Sequence, residues 1–84
     1  MSETRVAVIS ILIETAESAE RVNGLLHEYG EYIIGRMGIP YHEKNVNLIS
    51  IAIDAPEGVI NGLSGKIGKL EGVTAKIAYS NVIS

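Results

Sequence analysis

Apolar and polar residues alternate along two stretches of the chain that have nearly the same sequence. The first is Ile9–Glu14 (ISILIE), and the second, forty positions later, is Ile49–Asp54 (ISIAID). Alternation with a period of two is typical of strands that bury one face. A segment with apolar residues at helical spacing and a further extended run follow each stretch. The pattern therefore predicts two strand–helix–strand units in tandem.

The strands are predicted over residues 5–14, 32–39, 46–53 and 73–79. Pro40 is expected to end the second strand or to lie at a sheet edge, and the two glycines in this strand indicate a β-bulge or a close backbone approach. The first helix is predicted from Val22, Leu25, Leu26 and Tyr29, and the second from Val59, Ile60, Leu63, Ile67 and Leu70.

Residue types at the helix ends support these assignments. Thr15 or Ser18 is expected to cap the first helix and Asp54 the second, while Gly30 and Gly72 follow the helices as natural stops. Four further glycines in the second helix leave two interpretations open. Either that helix is intrinsically weak, or another surface packs closely against its outer side.

Two tandem units of this size predict an α+β fold, the ferredoxin-like βαββαβ sandwich. Its four strands form an antiparallel sheet in the order 4-1-3-2, with both helices on one face. The 84 residues suffice for one hydrophobic core and not for two, so residues 1–84 are predicted to form a single domain.

One face of the predicted sheet has no helix to cover it. The isoleucines of the two central strands are expected to face the helices, which turns six other residues outward: Val6, Val8, Leu12, Val46, Leu48 and Ala52. Apolar patches of this kind usually mark an interface. We therefore expect a homo-oligomer, dimer or tetramer, formed through this face. Partial shielding by a long side chain lying across the sheet is the alternative.

The sequence offers little catalytic chemistry. It contains no cysteine, and the two histidines, His27 and His42, lie in a helix and a turn without evident partners. A metal site within one chain would have too few donors, and no serine has the surroundings of a nucleophile. We therefore predict no enzyme activity, no metal site and no cofactor.

Charge and hydropathy exclude two further classes. The net charge is −3 with scattered basic residues, so direct binding of nucleic acid is not expected. RNA-binding modules of this topology stack bases on aromatic side chains, whereas this chain has no Phe or Trp. No apolar run approaches the roughly 20 residues of a membrane span. A cytoplasmic protein without membrane contact is expected.

A small-molecule effector, if one binds, is predicted to contact Arg36, with Gly35 and Gly38 allowing close approach. The competing interpretation is a solvated arginine beside a bulge. The start of the first helix is the other candidate, but Glu14 and Asp54 are expected to lie at the same end of the sheet and to make that region acidic. This acidity favours the Arg36 site for an anion.

Three stretches together resemble one family, that of the small regulators of the iron-only ([FeFe]) hydrogenase system. They are Val22–Tyr41, Ile49–Pro56 and Leu63–Val73. The resemblance implies an ACT-like ferredoxin-like domain, related to the ligand-sensing domain of nickel-responsive regulators and to the small regulatory subunit of acetolactate synthase. The chain lacks the cysteine of the nickel-sensing domain and the Pro-Gly turn of amino-acid-binding ACT domains, so no ligand residue is transferred.

The sequence thus favours a non-enzymatic regulatory or sensor domain associated with the iron-only hydrogenase system and acting as a homo-oligomer. The alternative is a small enzyme of the dimeric α/β-barrel type, in which paired sheets enclose a pocket. A pocket lined by Tyr, Arg and His between the sheets would favour the enzyme, and a dry, close-packed interface would favour the regulator.

Overall fold

The strands and helices follow the predicted order in the computed structural model, which describes residues 3–83. The strands are β1 (Arg5–Ile13), β2 (Ile33–Tyr41), β3 (Val46–Ala55) and β4 (Val73–Ile83), and the helices are α1 (Ala16–Glu28) and α2 (Glu57–Gly68). One short 3₁₀ turn (Gly30–Tyr32) precedes β2. The strands form one antiparallel sheet in the order β2-β3-β1-β4. The predicted α+β ferredoxin-like fold is confirmed.

The hydrophobic core lies between the sheet and the two helices. Alternate residues of β1 and β3 point into it, and the larger of them are almost completely buried: Ile9, Ile11, Ile13, Ile51 and Ile53. Val22 and Leu26 from α1 and Ile60, Leu63 and Ile67 from α2 close the core from the other side. The helical spacing in the sequence predicts this contact surface because residues three and four apart share one helix face.

The loop between α2 and β4 ties down the start of α1. Thr15 occupies the N-cap position, but its side chain makes no capping hydrogen bond. The hydroxyl groups of Thr15 and Ser18 instead donate to the carbonyl oxygen of Glu71, at 3.0 and 2.6 Å. Gly72 adopts a φ of 71°, and its carbonyl oxygen accepts from the N–H of Glu14 at 2.8 Å. Long-range contacts thus replace the predicted local cap.

Several element ends differ from the sequence prediction. β2 continues through Pro40 to Tyr41, and β4 continues to Ile83. A proline is tolerated in β2 because this strand lies at the edge of the sheet, where a missing N–H need not remove a ladder bond. Asp54 belongs to β3, and the N-cap of α2 is Pro56.

The glycines of α2 face open space within the described chain. A Cβ atom built at Gly58, Gly62, Gly65 or Gly68 would meet no atom within 4 Å. Nothing in residues 3–83 therefore packs closely on this side of the helix. Towards α1, the Lys66 ammonium donates to the Tyr29 hydroxyl at 2.9 Å, and this hydrogen bond raises the pKa of Lys66 above its usual value.

Candidate functional site

The face of the sheet opposite the helices, hereafter the open face, presents a mainly apolar surface. The six residues predicted for it, Val6, Val8, Leu12, Val46, Leu48 and Ala52, all point this way, since they alternate with the buried isoleucines. Val8 keeps 40% of its surface exposed, Leu12 45% and Leu48 36%. Within residues 3–83, no helix lies over this face.

The edge strand β2 extends the open face further than the sequence analysis predicted. Met37, Ile39 and Tyr41 pair with residues of β3 that point outward, and they keep 61%, 48% and 43% of their surface exposed. The sequence does contain the signal, because these three residues alternate with a period of two. The prediction named outward residues only on the two central strands, and it ended the second strand before Tyr41.

A row of small polar side chains crosses the middle of the open face. Ser10 and Ser50 are directly opposed across β1 and β3, with Met37 beside Ser50 and Lys76 beside Ser10. A hollow of about 230 Å³ lies along this row. Its walls are aliphatic apart from the two serines, and no ionisable side chain lines it. This lining provides neither an acid nor a base.

A register shift in β2 decides which way Arg36 points. Ile33 pairs with Ile53 and Gly35 with Ala52, so one extra residue, Ile34, is accommodated between them. A bulge of one residue exchanges the two faces for everything that follows. Arg36 therefore pairs with the buried Ile51 and lies on the helix side of the sheet. The bulge predicted from the glycines is present.

Arg36 lines a groove between α1 and β2, hereafter the α1–β2 groove, with a volume of about 260 Å³. Its guanidinium donates to the Asn23 side-chain oxygen at 2.8 Å. Asn47 is a third polar residue of the lining. The apolar part of the groove is formed by Ile13, Ala19, Ile39, Pro40 and Ile49 together with Leu48. No carboxylate belongs to the lining.

The three predicted ligand residues do not all lie on the same face of the sheet. Gly38 pairs with Ile49 on the helix side and lines the same groove as Arg36. Gly35 pairs with Ala52 and lies on the open face. A Cβ atom at either glycine would meet nothing within 4 Å, so no contact within the described chain requires a glycine there.

A second hollow, of about 420 Å³, lies beside the start of α1. Glu14 and Thr15 line it from one side. Tyr41, at the end of β2, and His42, in the turn that follows, line it from the other. Asn47 borders both this hollow and the α1–β2 groove. His27 lies apart from this hollow as an exposed residue of α1.

The expectation that Glu14 and Asp54 lie at the same end of the sheet is wrong. β1 and β3 run antiparallel, so Ile13 pairs with Asn47 whereas Asp54 pairs with Val6 at the other end. Glu57, at the start of α2, forms an ion pair with Arg5 there at 3.3 Å. The start of α1 is therefore less acidic than the sequence analysis assumed.

Two classes of site receive no support from the geometry of the described residues. In residues 3–83, no three side chains of His, Asp or Glu are gathered as metal ligands would be. Neither α1 nor α2 has the length and apolar character that crossing a membrane requires.

Comparisons with known proteins assign the chain to a family. A sequence profile of the TM1266-like family, described as "Iron-only hydrogenase system regulator, putative", matches residues 5–77. The chain belongs to this family. The family resemblance read from the sequence is thereby confirmed. No protein of curated function matches the chain.

Solved structures agree with this assignment. The uncharacterized protein TM1266 from Thermotoga maritima superposes with a TM-score of 0.87 and 31% sequence identity, over 90% of this chain and 96% of that one. A formyltetrahydrofolate deformylase from Pseudomonas putida KT2440 superposes with a TM-score of 0.68 and 13% identity. That match covers 92% of this chain and only 29% of the deformylase, so it shows a shared fold alone.

Proposed function

We propose that this chain is a non-enzymatic regulatory domain of the iron-only hydrogenase system and acts as a homo-oligomer through its open face. The family description supports the regulatory association. The observation that carries the oligomer is the open face itself, where Val8, Leu12, Leu48, Met37 and Ile39 remain between 36% and 61% exposed on one surface. Exposed apolar surface of this extent is rarely left in water.

The open face has about the size of a stable interface. Four strands about 4.8 Å apart and about nine residues long, at about 3.4 Å per residue, span a projected area of roughly 590 Å². The relief of the side chains makes the accessible surface larger than this projection. Standard interfaces bury about 800 Å² on each partner, which a sheet face of this kind can supply without help from the helices.

The lining of the open face favours a regulator over the enzyme of the dimeric α/β-barrel type. Such an enzyme would require ionisable side chains between the paired sheets. The hollow on the open face contains Ser10 and Ser50 among aliphatic side chains, and Arg36 lies on the opposite side of the sheet. Lys76 lies beside Ser10 on the same face but does not line the hollow. Two paired copies would bring mainly aliphatic surfaces together, which suits a contact that is dry away from this lysine.

The oligomer is tested by placing charge on the open face. The double variant Val8→Lys/Leu48→Lys should yield monomers of 9.0 kDa or insoluble protein, because an unpaired ammonium in an apolar interface is costly. Light scattering of wild type should give a multiple of that mass. The milder Val8→Thr/Leu48→Thr variant, which keeps residues suited to strands, should dissociate at higher protein concentration than wild type.

A matched control changes the charge elsewhere by the same amount. His27→Lys/Glu28→Gln alters two exposed residues of α1 and should retain the mass of wild type. A wild-type mass of 9.0 kDa, or a Val8→Lys/Leu48→Lys variant with unchanged mass and melting temperature, would show that the open face is not an interface between copies.

A further inference from the structure

We infer that the α1–β2 groove binds a small organic carboxylate with a short aliphatic body. Such a carboxylate would be the ligand that the proposed regulatory domain senses. The binding itself does not depend on the proposed function, whereas its regulatory role rests on it. The groove lies on the helix side of the sheet, opposite the open face. Of its lining, Ile39 and Leu48 also belong to the open face, so variants that leave these two residues unchanged test binding and self-association independently.

The charge in the groove comes from one guanidinium. Arg36 is the only ionisable residue of the lining, and one of its five N–H donors is used by the side chain of Asn23. The remaining donors include those in the fork geometry that matches a carboxylate. In a domain with a net charge of −3, a groove with one cation and no carboxylate in its lining is selective for an anion.

Two amide side chains add neutral polar groups beside this cation. The oxygen of Asn23 accepts from Arg36 at 2.8 Å, which leaves the amide N–H groups of Asn23 as donors. Asn47 contributes a second amide from β3. The arrangement is therefore rich in donors, as a carboxylate requires. The contact with Asn23 also holds the guanidinium at the mouth of the groove before any ligand arrives.

The apolar lining determines which group the ligand carries besides its carboxylate. Ile13 and Ile49 are almost completely buried at the base of the groove, and Pro40 forms part of its wall. A volume of about 260 Å³ corresponds to several water molecules at about 30 Å³ each. This space suits a branched aliphatic chain of a few carbons, whose burial displaces that water.

Carboxylate is favoured over phosphate by the count of charges. Phosphate sites in proteins combine several cations or a row of backbone N–H groups at a helix start. The α1–β2 groove has a single cation, and the first three residues of α1, Ala16, Glu17 and Ser18, are not part of its lining. A dianion would face this acidic domain with one compensating charge, whereas a monocarboxylate is matched by Arg36 alone.

The test uses 3-methylbutanoate as the probe and amide chemical shifts of ¹⁵N-labelled protein as the readout. We expect saturable shifts at Arg36, Gly38 and Asn47, together with the side-chain amide of Asn23. The uncharged isostere 3-methylbutanamide should bind at least tenfold more weakly. Inorganic phosphate should not displace the probe at equal concentration.

Two variants that each remove one positive charge distinguish binding in the groove from a general effect of the protein's net charge. Arg36→Gln should weaken binding of the probe at least tenfold. Lys76→Gln removes the cation on β4 that lies forty positions later, beside Ser10 on the open face, and should leave the affinity unchanged. Equal losses in the two variants would overturn the proposal, since the effect would then follow net charge and not the groove.

A steric variant tests the location without changing charge. Gly38 has free space for a side chain, and Gly38→Val places a strand-compatible side chain in the groove. The variant should fold with the wild-type spectrum elsewhere and lose the probe. Probe binding that persists in Gly38→Val, or the absence of saturable shifts in wild type, would refute the site. Retained binding in Val8→Lys is expected, because Val8 lies on the open face and does not line the groove.

Discussion

The helix side of the sheet and the open face are both mainly apolar, but only the helix side is covered by other elements of the described chain. On the helix side, Ile9 and Ile51 are fully buried beneath two helices. On the open face, Leu12 and Leu48 of the same two strands keep 45% and 36% of their surface. Alternation alone creates two apolar faces, and the helices decide which one becomes the core. The other face remains partly exposed in the described residues.

The largest expected difference between the two faces is in the stability lost when one residue on each face is truncated. Ile51→Ala should lower the free energy of unfolding by about 2–5 kcal/mol, because it leaves a cavity in a close-packed core. For a domain of this size, each kcal/mol lowers the melting temperature by about 4–8 °C. Leu48→Ala should cost less than about 1 kcal/mol in dilute solution. Urea denaturation measures both.

Measuring these stability losses at different protein concentrations tests whether copies pair through the open face. If copies pair through the open face, the loss in Leu48→Ala should grow as protein concentration is raised about a hundredfold, since association stabilises the folded state by mass action. The loss in Ile51→Ala should stay nearly constant. Equal losses for the two variants at the lowest concentration would show that the two faces are covered to a similar degree.

The next largest loss of stability is expected at Gly72, in the loop that ties down the start of α1. Gly72→Ala should cost about 1–3 kcal/mol, because φ is 71° and a Cβ would lie 2.7 Å from the Cγ2 of Thr15. Thr15→Ser in that background should restore part of the loss by removing the methyl group. Gly62→Ala is the matched control and should stabilise the domain by about 0.5–1 kcal/mol. Thermal unfolding that ranks Gly72→Ala with Gly62→Ala would contradict this.

The paired hydroxyl groups give the smallest effect. Ser18→Ala and Thr15→Val should each cost about 0.5–1.5 kcal/mol, since each removes one donor to the Glu71 carbonyl. After either change the carbonyl keeps one side-chain partner, and after both it keeps neither. A double-mutant cycle should therefore show a coupling energy of at least about 0.5 kcal/mol. Additive losses would mean that water replaces both hydroxyl groups.

The faces of the sheet were predictable because they depend on local alternation. The isoleucines from 9 to 13 and from 49 to 53 fix the buried side, and the six predicted open-face residues follow from them. The family could also be recognised from the sequence, because it rests on extended stretches of residues. Both inferences use neighbours along the chain.

The features that could not be predicted depend on contacts between residues far apart in the chain. Two glycines indicated a bulge in β2, but only the pairing with β3 places it between Ile33 and Gly35 and so turns Arg36 to the helix side. The similar endings of β1 and β3 suggested that Glu14 and Asp54 lie together, although antiparallel pairing separates them. Thr15 and Ser18 have the residue types of helix caps, and their actual acceptor, Glu71, lies more than fifty residues away.

The opposed pair of Ser10 and Ser50 marks the pivot of an internal two-fold rotation. The repeat shifts each residue by forty positions, and the pairing of β1 with β3 maps onto itself under that shift. The bulge in β2 has no counterpart at the start of β4. Arg36 and Lys76, which the forty-residue shift relates to each other, therefore lie on opposite faces of the sheet.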